Sequence, residues 1–178
     1  MDEPARAALL RFARAAFDAA ITGRPAPARD PGPDVEASGV FVTIHCRGEL
    51  CGCLGSLDLT EPPGVEVARL ASVVGLEDRR FAPVRPDEIP RVHIELSVLT
   101  PPEPVADVRS IEPGRHGLIA EAGGRRGLLL PQVATEQGWD RETFIAQTCR
   151  KAGLAPDAWR HGARLWTFEA EVFGEPRI

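Results

Sequence analysis

The segment "HCRGELCGCLGSL", His45 to Leu57, carries three of the chain's four cysteines and one of its four histidines. His45, Cys46, Cys51 and Cys53 together are the N and S donors that a four-coordinate zinc requires. Strand geometry argues against that use. Successive side chains of an extended segment point to opposite faces, so His45 and Cys46 diverge while Cys51 and Cys53 share a face. A Cys-x-Cys pair also lacks the usual zinc-ligand spacer. No metal site is expected.

A reactive thiol is the second reading. Cys53 lies between Gly52 and Leu54-Gly55, and glycines beside a strand cysteine let a ligand or another backbone come close to the sulfur. A nucleophile would need a base or cation to lower its pKa from about 8.5, a part open to His45, Arg47 or a distant arginine. The plain alternative is a small buried thiol, the common fate of free cysteine. Cys149 shares a helix face with Phe144, Ile145, Thr148 and Ala152 and is expected in the core.

His93, Glu95 and Ser97 line one face of one strand at roughly 7 Å intervals, too far apart for a direct relay, and read as a solvated face. His116 and His161 stand beside Gly117 and Gly162 and read as loop residues. In "GGRRG", Arg125 and Arg126 could meet an anion, or serve only the solubility of a hairpin tip.

The elements that would position these groups follow from periodicity. Residues 4–21 place Leu9, Phe12, Ala13, Ala16, Phe17, Ala20 and Ile21 at helical spacing, ended by Gly23 and Pro25. Pro25, Pro27, Pro31 and Pro33 then predict an irregular surface loop. "GVFVTIHC" and "LCGCLGSL" read as a hairpin about Arg47-Gly48-Glu49. "EPPGVEVARLASVVGL" reads as a helix loosened or ended by Gly75. "RVHIELSVL" alternates as a strand with one buried face, and "HGLIAEAGGRRGLLL" forms a second hairpin about Gly123-Gly124. "DRETFIAQTCRKAG" is a helix with Asp140 as N-cap and Gly153 past its end. "RLWTFEAEVF" alternates Leu165, Thr167, Glu169 and Glu171 against Trp166, Phe168, Ala170 and Val172 as a last strand. These elements predict an α+β fold, a largely antiparallel sheet flanked by helices.

A chain of 178 residues suits a single domain, of which folding could bury about 70% of the extended surface. With 43% hydrophobic and 26% charged residues the composition is that of ordinary globular proteins. A net charge of −5 without a long basic run disfavours nucleic acid as a partner. No stretch approaches a membrane span, and the N-terminus lacks the features of a secretion signal. The expected compartment is the cytoplasm, where the cysteines would stay reduced.

"GVFVTIHCRGELCGCLGSL", "RRFAPVRPDEIPRVHIELSVLTPPEPV", "GLIAEAGGRRGLLLPQVATEQGWDRETFIAQTCRKAGLAPDAW" and "FEAEVFGE" closely resemble, in the same order, the AMMECR domain family. The resemblance implies one domain over residues 1–178 built as a larger and a smaller subdomain. The family's Leu-Arg-Gly-Cys-Ile-Gly hallmark falls on Leu50, Cys51, Gly52, Cys53, Leu54 and Gly55, with Cys51 in place of the arginine. The resemblance brings no established reaction and no cofactor, but it implies association with a Memo-type protein and a radical SAM enzyme. Two functions follow as expectations. One is an accessory or binding component of such partners, acting on an unidentified small ligand. The other is an enzyme using Cys53 as nucleophile in a cleft lined by Gly52, Gly55 and Arg80, with Arg125 and Arg126 as further binding residues.

Overall fold

A computed structural model describes residues 1–28, 30, 32–57 and 59–176, so Pro31 of the proline-rich stretch lies outside the described residues. The chain forms two compact units, Met1–Leu99 with Glu171–Ile178, and Thr100–Ala170. Each is α+β, and the strand pairs within each unit whose register is described are antiparallel.

In the first unit, helix α1 spans Glu3–Thr22. The Asp2 carboxylate accepts the Ala5 N–H at 3.0 Å, and Gly23 closes the helix at φ 66°. Strands β1 (Gly39–Cys46) and β2 (Glu49–Ser56) form a hairpin through the two-residue turn Arg47-Gly48, and β1 also pairs with β3 (Val92–Leu99). Val40, Val42 and Ile44 of β1 pack with Ile94, Leu96 and Val98 of β3 against Leu9, Ala13 and Phe17. Helix α2, Pro63–Glu77, completes that core with Val67, Leu70, Ala71 and Val74. Gly75 does not end α2. A Cβ there would lie 2.8 Å from the Phe17 ring, so the bare Cα lets the two helices close.

The polar line on β3 is only partly solvated. His93 and Glu95 are half-buried, but Ser97, opposite Phe41, is buried. Towards its end β3 is covered on both faces, a property that simple alternation does not carry.

In the second unit β5 (His116–Ala122) and β6 (Arg125–Leu129) meet at Gly123-Gly124, both at positive φ as a tight hairpin demands. His116 therefore opens a strand. His161 stands in a short 3₁₀ turn closed by Gly162. Strand β7, Arg164–Gly174, pairs with β5, and the short β4, Glu103–Pro104, pairs with β7. The short helix α3, Pro131–Glu136, has too few residues to print a periodic pattern in the sequence.

Helix α4 spans Arg141–Lys151 behind the Asp140 cap, whose carboxylate accepts the Thr143 N–H at 2.8 Å, and Gly153 follows its end at φ 72°. Its Phe144, Ile145 and Cys149 join Ile111, Leu118, Ala120 and Leu165 in the core. Burial pushes the Cys149 thiol above its ordinary pKa. Strict alternation fails on β7. Leu165 and Phe168, three apart, are both buried, because the Phe168 ring lies over its cross-strand partner Gly117.

Candidate functional site

On β1, Phe41, Thr43 and His45 point away from the helices that Val40, Val42 and Ile44 face. The register sets Thr43 opposite Cys53 of β2 and Glu95 of β3, and His45 opposite His93. Cys53, Thr43 and Glu95 thus form one row on this face, with the two imidazoles in the next. The ring centroids of His45 and His93 are 6.2 Å apart. The Cys53 thiol is half-buried, and the Thr43 hydroxyl donates to Sγ at 3.4 Å.

Both backbone polar groups of Cys53 are engaged. Its N–H donates to Asp78 Oδ2 at 2.9 Å, and its carbonyl accepts from Arg80 Nη2 at 2.8 Å. Arg80 closes the triangle through two guanidinium bonds to the Asp78 carboxylate at 2.9 and 2.7 Å, and its own N–H reaches Oδ1 at 3.2 Å. Asp78 is 7% exposed. The Arg80 guanidinium, working against burial and helped by the Cys53 N–H, holds its carboxyl well below the usual carboxylate range. This clamp ties the middle of β2 to the end of α2. A carboxylate at a helix C-terminus opposes the helix dipole. In "LEDRRF" that was the one sequence signal that Asp78 has a tertiary partner.

The clustered cysteines are sorted by a β-bulge. Ile44 faces Gly52 and His45 faces Leu50, which leaves Cys51 as the extra residue. The bulge turns Cys51 to the helix-facing side, where it forms a disulfide with Cys46. Two expectations are corrected. Cys51 and Cys53 do not share a face, because alternation does not survive a bulge. Nor are all four cysteines free thiols, because the bulge brings Cys51 within 5.7 Å of Cys46, Cα to Cα. Two of the four donors considered for zinc are thereby bonded to each other.

The glycines beside Cys53 are filled from within the unit. A Cβ on Gly52 would lie 2.9 Å from both the Ile44 side chain and the Val74 carbonyl, and one on Gly55 would lie 2.2 Å from the Phe41 ring. They let a helix and an aromatic ring approach β2, which answers the close approach that a strand glycine signals. The space over these two glycines is thus taken by Ile44, Val74 and Phe41. Arg80 is beside Cys53, though committed to the clamp. Arg125 and Arg126 belong to the other unit. There Arg125 Nη1 caps the end of α4 through the Gly153 carbonyl at 2.6 Å.

At the end of the first unit's sheet a cleft of about 850 Å³ opens between the β1–β2 turn, the 3₁₀ turn Pro86–Arg91 and the start of β3. Arg14, His45, Arg47, Arg91, His93 and Glu175 supply its polar lining. Sequence reasoning had His45 and Arg47 only as helpers of Cys53 and missed Arg14 and Arg91, which no local spacing links to them.

The fold and site define a two-unit α+β protein with a half-buried thiol on the helix-free face of one sheet and a basic cleft at that sheet's end. The AMMECR1 family model matches residues 10–173, and the chain belongs to the AMMECR1 family. It is 44% identical over 190 residues to a protein of Thermofilum pendens, covering 95% of this chain and 89% of that one. It is 43% identical over 177 residues to a protein of Methanothermobacter thermautotrophicus, covering 94% and 92%. The crystal structure of uncharacterized protein PH0010 from Pyrococcus horikoshii is similar with a TM-score of 0.76 and 38% identity, over 98% of this chain and 93% of that one.

Proposed function

We propose that the protein is a non-catalytic binding or accessory component, acting with a Memo-type protein and a radical SAM enzyme. One observation carries the non-catalytic part. Every polar group of Cys53 is engaged in holding strands and helix together, and among the described residues no imidazole or carboxylate hydrogen-bonds its sulfur. The Arg80 guanidinium brings a cation to that sulfur, but a thiol attack also needs a base to take its proton and a free donor for the developing oxyanion. The Cys53 N–H is already bound to Asp78. Among the described residues, no helix is long and apolar enough to cross a membrane. Co-purification with the two partners is the test. It should survive Cys53→Ala, and loss of binding on that substitution alone would overturn a purely scaffolding role.

The half-buried sulfur with a hydroxyl donor favours a second reading, Cys53 as nucleophile. Its test is the rate of Cys53 alkylation against pH. A thiol that reacts at neutral pH no faster than a free one would remove this reading.

A further inference from the structure

The geometry points to a binding site for a small organic anion, a phosphate monoester by its charge, in the cleft between Arg47, Arg91, His45 and His93. The chain as a whole is acidic, at −5. The cleft is not, because three arginines meet one carboxylate there. Arg14 and Glu175 cancel: the Arg14 guanidinium bonds both Glu175 oxygens, Asp18 at 3.3 Å and the Val92 carbonyl at 2.8 Å. Glu175 Oε2 also accepts the Ile94 N–H at 2.9 Å. Arg47 and Arg91 remain, and neither guanidinium has an ion-pair or hydrogen-bond partner among the described residues. Two uncompensated cations match a dianion, and guanidinium forks bind phosphate oxygens well.

The histidines supply directional bonds. His93 Nε2 contacts the Glu175 carbonyl, which can only accept, so Nε2 carries the proton and Nδ1 of the neutral ring is an acceptor, open to a water or to a hydroxyl on the ligand's organic body rather than to its phosphate oxygens. His45 is half-buried and its ring has no hydrogen-bond partner among the described residues. It can donate from either nitrogen. Ile89, Pro90 and Pro176 supply apolar wall for an organic body, and about 850 Å³ is within the range of small-molecule sites.

The backbone gives an independent sign. Arg47 is the one non-glycine described residue at positive φ, 56°. That turn position favours Asn, Asp or Gly, and a longer side chain costs about 1 kcal/mol there. Strain retained beside a cleft is characteristic of functional positions. The Cys46–Cys51 disulfide joins the two strands that carry this turn and fixes where Arg47 is presented.

The cleft's chemistry is independent of any protein partner, so its test uses the full chain alone. Calorimetric titration with phenyl phosphate should give saturable binding, and phenol should give none. Arg47→Gly keeps the turn conformation while removing the guanidinium, and Arg47→Gly/Arg91→Ala should weaken binding about tenfold per arginine. The melting temperature of that variant should not fall below the parent's, since Arg47→Gly also relieves the positive φ, and Arg109→Ala in the other unit should bind as the parent does. Unchanged affinity in the double variant, equal loss in Arg109→Ala, binding of phenol, or no binding of phenyl phosphate would each overturn the site.

Discussion

Replacing Arg80 by alanine tests what the Asp78 clamp contributes. By exposure alone the loss should be slight, because the Arg80 side chain is 61% exposed and such ion pairs contribute about 0–1 kcal/mol. The partner alters the balance. The Asp78 side chain is only 4% exposed, so removing Arg80 strands a carboxylate that water barely reaches. A fully buried orphan charge costs about 3–5 kcal/mol, and two backbone N–H donors plus the space vacated by Arg80 reduce this to roughly 2 kcal/mol. Adding Asp78→Asn should recover about half of that loss, since the neutral amide oxygen still accepts the Cys53 N–H. Urea unfolding at pH 7 measures both. The folded carboxyl lies below its unfolded value of about 3.9 in the parent, so the clamp's contribution is present above about pH 4 and declines as acid protonates the folded group. In Arg80→Ala that depression is largely gone, and its deficit against the parent should shrink below about pH 4. A deficit under about 0.5 kcal/mol at pH 7, or one that pH leaves unchanged, would refute the clamp.

Gly127→Ala should lower stability by about 1–3 kcal/mol in urea or thermal unfolding, because the new Cβ would come 2.3 Å from the backbone N of Ala152, which has no side chain that can yield. Cys46→Ser/Cys51→Ser opens a loop of sequence separation 5 and should cost about 2 kcal/mol by the same unfolding measurements. Iodoacetamide added to the native protein should label Cys53 ahead of Cys149, since the latter is buried with its pKa pushed up, and peptide mass mapping reads the order.

Elements with a strong local pattern were legible in the sequence. Both ends of α4 are written in Asp140 and Gly153, the first helix in its apolar stripe and Gly23, and the second hairpin in Gly123-Gly124. The α+β class with an antiparallel sheet followed from them. What stayed hidden depended on contacts between distant residues. Gly75 is a helix breaker by local propensity, yet the Phe17 ring occupies the space it leaves. The bulge at Cys51 leaves no mark in composition, and it alone decides which thiols meet.

The site shows the same division. Cys53 is visible from its neighbours, but Thr43, Glu95, His45 and His93 join it only through the register of three strands. A shift of one residue in that register would turn the polar row into the core and the valines of β1 out of it. The pairs that hold it are Val42 with Leu54 and Leu96, and Ile44 with Gly52 and Ile94. The burial that stabilises the first unit therefore also places its polar face, and the disulfide and the Asp78 clamp each fix a different part of β2 to that frame. Loosening the clamp should leave the cleft at the sheet's end intact, while opening the disulfide should disturb Arg47 and leave Cys53 bonded to Asp78. Comparing phenyl phosphate affinity in Arg80→Ala with that in Cys46→Ser/Cys51→Ser separates the two. A loss in the first variant and none in the second would contradict this division of β2.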